Sequence, residues 1–251
     1  MSVDLEATGN NIGDIQWSSE GNGTFSDPNS LITTYTPGSY GNSHGSVDLT
    51  ITVSGISPCN ATTSATTTVD INEPAFAYAG ADATICKNEN FQTSASAAYY
   101  YTTEWFTNGD GYFEDPNSLN TTYYPGDGDK LNGQVRLTLF VTSIPPCEGT
   151  DFDRMYLTIN DDPEISLGED FSVCENETVH IVATAANYSS ISWETSGDGT
   201  FINTSGNSTD YTPGTFDLTN GSAQITAYAD PLPPCTQSAG DVVGVNFIPG
   251  P

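Results

Sequence analysis

The chain has 251 residues, and its 32 Asp and Glu residues outnumber 4 Lys and Arg residues, which gives a formal net charge of −28. A surface with this charge repels nucleic-acid phosphates and anionic lipid head groups, which argues against nucleic acid or a membrane as a partner of this segment. Apolar residues make up 36% of the chain and aromatic residues 11%, which is enough to build hydrophobic cores. We therefore expect a folded protein and not a disordered acidic tail.

One sequence repeat occurs three times along the chain, with a step of 88 residues between copies. The series that share this step are Trp17, Trp105 and Trp193; Phe25, Phe113 and Phe201; Tyr35, Tyr123 and Tyr211; Cys59, Cys147 and Cys235; and Cys86 and Cys174. Such a period is the signature of a repeat architecture. It predicts three domains, at residues 1–72, 73–160 and 161–251. The first copy lacks the counterpart of residues 73–88, so it is expected to lack its first strand, as in a piece of a longer array.

The predicted elements of a copy are strands and turns. In the second copy we expect strands near 75–86, 90–98, 102–107, 111–113, 121–124, 133–143 and 151–160. The clearest is 133–143, where Val135, Leu137, Leu139 and Val141 alternate with Arg136, Thr138 and Phe140. No segment shows a helical stripe of apolar residues. About seven short strands with a tryptophan on the third predict an all-β fold of three tandem immunoglobulin-like sandwiches in a linear array.

Three strings carry a family resemblance: W-E-T-S-G-D-G-T-F at 193–201, Y-T-P-G at 211–214 and A-G-A-D-A-T-I-C at 79–86. They resemble the repeats of the SprB-type gliding adhesins of Bacteroidota, which are similar to the PKD-like and immunoglobulin-like modules of type IX-secreted surface proteins. The resemblance implies an extracellular filament at the cell surface, anchored to the outer membrane in the full-length protein, that acts in adhesion or gliding motility.

Five cysteines in such a chain indicate an oxidising compartment. Pairing within copies would join Cys86 to Cys147 and Cys174 to Cys235, and pairing between successive cysteines would join Cys59 to Cys86 and Cys147 to Cys174. Both place the two partners at opposite ends of a sandwich, roughly 30 Å apart, whereas a disulfide needs Cα atoms within about 7 Å. In a head-to-tail array the first turn of one copy faces the last turn of the next. This arrangement favours a bond between Cys86 and Cys235.

Acidic clusters suggest calcium, because Ca²⁺ binds carboxylate and carbonyl oxygens. The candidates at the ends of the copies and in the turns of the second copy are Asp70, Glu73, Asp82, Asp161, Asp162, Asp170, Asp110, Asp127 and Asp129. No complete EF-hand loop accompanies them. The alternative is that these acids are solvated and keep the protein soluble.

Aromatic residues divide into two groups. Trp17, Trp105, Trp193, Tyr35, Tyr123 and Tyr211 are expected in the cores. Tyr99, Tyr100 and Tyr101 fall in a turn, where three adjacent tyrosines cannot all be buried, and they are candidate contacts to a ligand such as surface polysaccharide.

No motif for nucleophilic, phosphate or zinc chemistry is present, so we do not expect an enzyme. The sequence favours a structural and adhesive segment of a surface filament, with neighbouring repeats of the same chain as its partners. The alternative is an array of carbohydrate-binding modules in a secreted protein that degrades polysaccharide.

Overall fold

The computed structural model describes residues 2–145 and 147–250, and these form an all-β chain, which confirms the predicted fold class. The strands up to residue 70 are β1 (Val3–Glu6), β2 (Ile12–Ser19), β3 (Thr24–Phe25), β4 (Ile32–Thr36), β5 (Ser46–Gly55) and β6 (Thr62–Asp70). Those up to residue 160 are β7 (Phe76–Tyr78), β8 (Ala83–Cys86), β9 (Phe91–Gln92), β10 (Ser96–Ala98), β11 (Tyr100–Thr107), β12 (Tyr112–Phe113), β13 (Thr122–Tyr124), β14 (Gln134–Ser143) and β15 (Thr150–Asn160). The remainder are β16 (Glu164–Ser166), β17 (Phe171–Cys174), β18 (Val179–Val182), β19 (Thr184–Ala186), β20 (Tyr188–Thr195), β21 (Thr200–Phe201), β22 (Ser208–Thr212), β23 (Ser222–Pro231) and β24 (Ala239–Ile248).

Within the part of the chain that the structure describes, three short helices interrupt the strands at equivalent places: α1 (Ser39–His44), α2 (Asp127–Asn132) and α3 (Thr215–Asn220). Each follows a Tyr-x-Pro-Gly string and ends at a glycine in the left-handed region, Gly45, Gly133 or Gly221. Glycine is the usual residue at such a helix end. The expectation of no helix was wrong here, because six residues are too few to show a periodic apolar stripe.

The chain forms two compact units. The first comprises Met1–Phe76, Ala97–Thr102 and Val141–Asp151. It contains two antiparallel sheets, with the strand orders β1-β4-β3 and β2-β5-β6. Their buried side chains are Leu5, Trp17, Tyr35, Val47, Leu49 and Ile51. The two sheets thus enclose one small core.

The second unit comprises Ala77–Ser96, Thr103–Phe140 and Phe152–Pro251. Its C-terminal part contains the sheets β17-β24-β23-β20, β18-β22-β21 and β16-β19, in which β17 lies parallel to β24. A larger core is buried there, including Val179, Ile191, Trp193, Tyr211, Ile225, Val243 and Val245. In the preceding copy the sheet orders are β11-β14-β15-β8, β12-β13-β9 and β10-β7, and β8 lies parallel to β15. The same pattern of sheets therefore recurs 88 residues apart.

The strand predicted at 75–86 is split into β7 and β8. Gly80 lies between the two halves with a φ of +102°, and Gly168 occupies the equivalent place in the third copy with a φ of +83°. Residues with a side chain rarely adopt this conformation. The glycine therefore lets the chain leave one sheet and join the other.

Candidate functional site

A disulfide bond joins Cys86, the last residue of β8, to Cys235, which lies in the loop between β23 and β24. Their Cα atoms are 5.6 Å apart, and 149 positions separate them in the sequence. The two cysteines belong to successive copies of the 88-residue repeat. The bond therefore crosses from the second copy to the third, and it is the pairing that the head-to-tail argument favours.

Polar contacts surround this bond. The Asn160 side-chain amide donates a hydrogen bond to the carbonyl oxygen of Pro233, at 2.8 Å. Lys87 forms an ion pair with Asp161 at 2.8 Å, and its backbone N–H donates to the carbonyl oxygen of Asn160 at 2.9 Å. We call this cluster the junction; it consists of Cys86, Lys87, Asn160, Asp161, Pro233 and Cys235. It uses one of the 4 basic side chains of the chain to neutralise an acidic group beside the disulfide.

The ion pair keeps both groups charged over the neutral pH range. The hydrogen bond from Lys87 lowers the pKa of Asp161 below its ordinary value of 3.8, and the same contact raises the pKa of Lys87 above 10.5. The stabilisation linked to Asp161 is therefore complete above about pH 4 and is lost as the pH falls through its lowered pKa. The stabilisation linked to Lys87 is complete below about pH 10 and is lost at higher pH. Because both side chains are exposed, the ion pair contributes little to the free energy of unfolding. Its main effect is to hold the two side chains of the junction in place.

The other three cysteines are free. Cys59 and Cys174 are exposed, and Cys147 is partly buried. Since Cys86 is bonded to Cys235, the pairings Cys86–Cys147, Cys174–Cys235 and Cys59–Cys86 do not occur, and Cys147 is not bonded to Cys174 either.

A buried aspartate organises the turn region of the third copy. Asp217, in α3, has no exposed surface. Its Oδ2 atom accepts hydrogen bonds from the Tyr211 hydroxyl at 2.5 Å and from the backbone N–H groups of Gly199 and Gly214 at 3.1 and 3.0 Å. Burial and this hydrogen bond raise the pKa of Tyr211 to about 12. The tyrosine therefore stays protonated and donates to the carboxylate at neutral pH.

Asp129 occupies the equivalent position in the second copy and is also buried. It accepts hydrogen bonds from the Tyr123 hydroxyl at 2.6 Å and from Gly111 and Gly126 at 3.1 Å. The first copy has Gly41 at this position, and there the Tyr35 hydroxyl is hydrogen-bonded to the side chain of Ser19 at 2.9 Å. The aspartate is thus a feature of two copies only.

In each of these two copies, a second aspartate caps the start of the short helix that contains the buried aspartate. Asp110 accepts hydrogen bonds from the backbone N–H groups of Gly128 at 2.8 Å and Asp129 at 3.0 Å. Asp198 accepts from Phe216 and Asp217 in the same way. These backbone hydrogen bonds lower the pKa of both Asp110 and Asp198. The turn carboxylates are therefore engaged in holding the backbone.

Several calcium candidates have their oxygens engaged by protein groups. Asp82 accepts a hydrogen bond from the Tyr156 N–H at 2.8 Å, and Asp170 accepts one from the Gly244 N–H at 2.7 Å. Asp110, Asp129 and Asp161 are hydrogen-bonded as described above, whereas Asp70, Glu73, Asp127 and Asp162 lie at the exposed or half-exposed surface. Within residues 2–145 and 147–250, no group of three or more His, Cys, Asp or Glu side chains is placed to hold a metal ion. Calcium binding stays a prediction.

The tyrosines at 99–101 are exposed, with Tyr101 at 67% and Tyr99 at 56%. Tyr99 has a φ of +55°, and its counterparts in the other copies are Asn11 and Asn187, at +56° and +57°. Asparagine tolerates this left-handed conformation far better than tyrosine does. Tyr99 is therefore a strained, exposed aromatic residue at a position where both other copies carry the favoured residue.

Replacing Tyr99 with asparagine is expected to raise the free energy of unfolding by about 0.5–1 kcal/mol, because it relieves this strain. Urea unfolding at equilibrium measures the change. Tyr101→Asn is the matched control: it removes another exposed tyrosine, from β11, and should give no gain, since asparagine is a poor strand former. Equal effects of the two substitutions would contradict the strain argument.

The residues expected in the cores are buried. Trp17, Trp105 and Trp193 each donate an indole N–H to a loop carbonyl oxygen, that of Ser30, Leu119 and Gly206 respectively. Tyr35, Tyr123 and Tyr211 have no exposed surface. These six side chains therefore belong to the scaffold.

An aromatic row that was not predicted from the sequence crosses three strands of the second copy. The ring centroids of Phe106 and Phe140 are 5.2 Å apart, and those of Phe140 and Phe152 are 5.3 Å apart. The Arg154 guanidinium lies 4.8 Å from the centre of the Phe152 ring. Phe106 and Phe152 are both nearly half exposed. The sequence feature that could have indicated this row is Phe140, because it is an aromatic residue at a solvent-facing position of the alternating strand 133–143.

The sheet orders and the repeated core positions define an all-β protein of tandem β-sandwich repeats. Among the described residues, no helix has the length and apolar character needed to span a membrane. No protein-family model matches the sequence, and no curated protein matches it either.

Solved structures of cadherin ectodomains are similar to this chain. Domains EC1–4 of protocadherin gamma B7 match 94% of this chain and 67% of their own length, with 11% identity and a TM-score of 0.49. Domains EC1–3 of protocadherin gamma C5 match 93% and 89%, with 13% identity and a TM-score of 0.49. Domains EC22–24 of mouse cadherin-23 match 98% and 90%, with 15% identity and a TM-score of 0.43. At these identities and scores the likeness concerns architecture only.

Proposed function

We propose that this chain is a structural and adhesive segment of a long extracellular filament, with repeats at residues 1–72, 73–160 and 161–251. The observation that carries the proposal is the disulfide between Cys86 and Cys235, which links two successive copies. A bond of this kind forms and persists in oxidising compartments outside the cytoplasm. It also holds the end of one repeat against the next, as a load-bearing filament requires.

The charge and the repeat pattern agree with this function. A net charge of −28 keeps a long surface protein soluble and separates neighbouring filaments. The finer proposal, based on the sequence resemblance, is a gliding-type adhesin that is secreted by the type IX route and anchored to the outer membrane. Its role in this proposal is display and contact, without catalysis.

Single-molecule stretching from the two chain ends tests the load-bearing role. In the oxidised chain the disulfide bypasses the residues between Cys86 and Cys235, so these cannot extend. Reduction is expected to add roughly 50 nm of contour length, at about 3.3–3.6 Å per residue. The Cys59→Ser variant is the control and should behave like the parent chain, because Cys59 is free. Equal lengths with and without reductant would show that the bond carries no load.

The second candidate function, an array of carbohydrate-binding modules, is favoured by the row of Phe106, Phe140 and Phe152. Exposed aromatic faces are suitable surfaces for apolar or sugar contacts. A glycan array probed with the whole chain separates the two functions. Saturable binding to one glycan that is lost in Phe140→Ala or Tyr100→Ala supports the module, whereas no binding leaves the filament segment as the better account.

A further inference from the structure

The outer face of the sheet β11-β14-β15-β8 differs in composition from the other faces of the molecule. On these strands the odd-numbered side chains, such as Trp105, Leu137 and Met155, are buried. The even-numbered side chains therefore point away from the core. Six of them form what we call the platform: Phe106 of β11, Arg136 and Phe140 of β14, and Phe152, Arg154 and Tyr156 of β15. All six belong to the second unit of the chain.

The fold does not require these residues, because the other copies carry different ones at the same positions. In the first copy the six counterparts include no aromatic ring and no positive charge: they are Ser18, Asp48, Thr52, Ser64, Thr66 and Thr68. In the third copy they are Glu194, Gln224, Tyr228, Gly240, Val242 and Gly244. Tyr228 is the one aromatic residue among these twelve. The platform is therefore a surface feature of the second copy and not a demand of the sandwich.

The phenyl rings of the platform form a continuous row. Phe106 meets Phe140 edge to face, with an interplanar angle of 84°, and the Phe140 ring lies 5.3 Å from the Phe152 ring. The two outer members, Phe106 and Phe152, are 45% and 46% exposed. The Arg154 guanidinium lies 4.8 Å from the centre of the Phe152 ring, close enough for a cation–π interaction. An apolar surface and a planar hydrogen-bond donor are therefore neighbours.

The two arginines of the platform are the only arginines of the chain, and neither is neutralised. Within residues 2–145 and 147–250, no carboxylate forms an ion pair with Arg136 or Arg154, although the chain has 32 acidic residues. The Nε atom of Arg136 is also buried without a hydrogen-bond partner. A guanidinium is a planar fork of donors that matches the oxygens of a carboxylate or a similar anion. An anion from outside the chain would supply the missing acceptor.

The charge of this face is opposite in sign to the charge of the whole chain. The net charge is −28, yet two arginines stand against one acidic residue, Glu104, at the outward positions of β11, β14 and β15 in the second unit. Asp82, just before β8, accepts a hydrogen bond from the Tyr156 N–H. An anionic ligand would be attracted here and repelled by most of the remaining surface. The charge distribution therefore selects this face for an anion.

The size of the platform favours a sugar chain over a protein partner. An aromatic side chain offers about 150–250 Å², so three partly exposed rings present roughly 300 Å². A standard protein interface buries about 800 Å² on each side. Strand addition is not available at the row either, because β14 lies between β11 and β15 in the sheet. An acidic sugar has an apolar face of C–H groups and a charged group at its edge, so it can use both parts of a small platform.

We propose that the platform binds an acidic polysaccharide, with its sugar faces against the phenyl row and its carboxylate or sulfate groups at the two arginines. The row crosses the strands, so the sugar chain lies across the sheet. This inference rests on the contact role proposed above; it assigns that role to the second copy and names the class of ligand.

Calorimetric titration of the whole chain tests the ligand class. The probe is an oligomer of galacturonic acid, and the control ligand is the same oligomer with its carboxylates methyl-esterified, which keeps the sugar faces and removes the charge. We expect saturable binding of the acid, about tenfold weaker binding of the ester, and a smaller difference at high salt. Dextran sulfate and plain dextran form the second pair and distinguish sulfate from carboxylate. A preference for either acidic ligand over its neutral counterpart supports the proposal.

Substitutions that copy the first repeat test the residues in a fold that already accommodates them. Arg154→Thr is expected to lower the affinity for the acid about tenfold and to leave the affinity for the ester unchanged. Phe152→Ser should weaken the binding of both ligands, because it removes part of the apolar row. Tyr228→Thr is the matched control: it removes the aromatic residue from the equivalent face of the third copy and should change neither affinity. Urea unfolding confirms that each variant is folded.

Four results would overturn the proposal. The first is equal affinity for the acid and the ester in both pairs, which would leave a contact to neutral sugars as the second candidate function. The second is unchanged binding of the acid by the Arg154→Thr variant. The third is equally tight binding of a polyglutamate peptide, which would indicate an acidic protein as the partner. The fourth is no binding of any of these ligands. None of the four bears on the filament role, which the stretching experiment on the disulfide tests separately.

Discussion

Replacing both Cys86 and Cys235 with serine lowers the combined free energy of unfolding of the segment they enclose by about 5 kcal/mol. Two residues 149 positions apart close a long loop, and the restriction of the unfolded chain grows with the logarithm of loop length. The loss should be seen as a lower urea midpoint, and addition of reductant to the parent chain should reproduce it. The double variant itself should not respond to reductant.

Cys59→Ser is the matched control for this experiment. Cys59 is the counterpart of Cys235 in the first copy, but it is exposed and unbonded. Its substitution should change the free energy of unfolding by no more than about 0.5 kcal/mol. If the double variant and this control unfold at the same urea concentration, the bond between the copies does not stabilise the protein.

The second large effect is expected for Asp217→Ala, which should lower the free energy of unfolding by about 3–5 kcal/mol. The substitution removes the acceptor of the Tyr211 hydroxyl and of the Gly214 N–H, and it leaves the Gly199 N–H with the Tyr211 hydroxyl as its remaining acceptor, at 3.1 Å. Asp217 and Tyr211 have no exposed surface. An unsatisfied buried donor costs about 1–3 kcal/mol. Denaturant unfolding of the whole chain, followed by amide hydrogen exchange in β21 and β22, measures the loss and locates it.

Asp210→Ala is the control for this prediction. Asp210 lies next to Tyr211, but its side chain is partly exposed and pairs with His180 at 2.6 Å on the surface. Exposed pairs contribute about 0–1 kcal/mol. A loss for Asp217→Ala no larger than the loss for Asp210→Ala would show that the buried carboxylate is not the organising group.

The first copy shows how the fold accommodates the absence of this aspartate. Gly41 replaces it, and a side chain at that position would come within 2.5 Å of the Ile71 Cδ1 atom. In the first copy, the apolar side chain of Ile71 therefore occupies the space beside α1. A single substitution in the third copy cannot reproduce this rearrangement, because the compensating residues are not present there.

Much of the fold could be predicted from periodicity. The alternation at 133–143 predicted β14 at Gln134–Ser143, and the repeated tryptophans were expected in cores, where the structure places them. The split of the first strand at Gly80 was not predicted, because a change of sheet leaves the apolar alternation on both sides intact. The short helices and the row of Phe106, Phe140 and Phe152 were missed for related reasons. Six residues show no stripe, and residues on three strands show no spacing in the sequence.

The sequence by itself determined the all-β class and the step of 88 residues, because both depend on local alternation and on identical residues at fixed intervals. It also restricted the disulfide to a few pairings, since a bond of fixed short length can join only turns that meet. The tertiary structure decided that Cys86 meets Cys235 and that Asp129 and Asp217 are buried. Each of these depends on which strands become neighbours, and neighbours distant in sequence are selected by packing and not by local pattern. Some of the acidic side chains accept hydrogen bonds in the turns, whereas others are exposed to solvent. Only the tertiary structure around each carboxylate distinguishes these two groups.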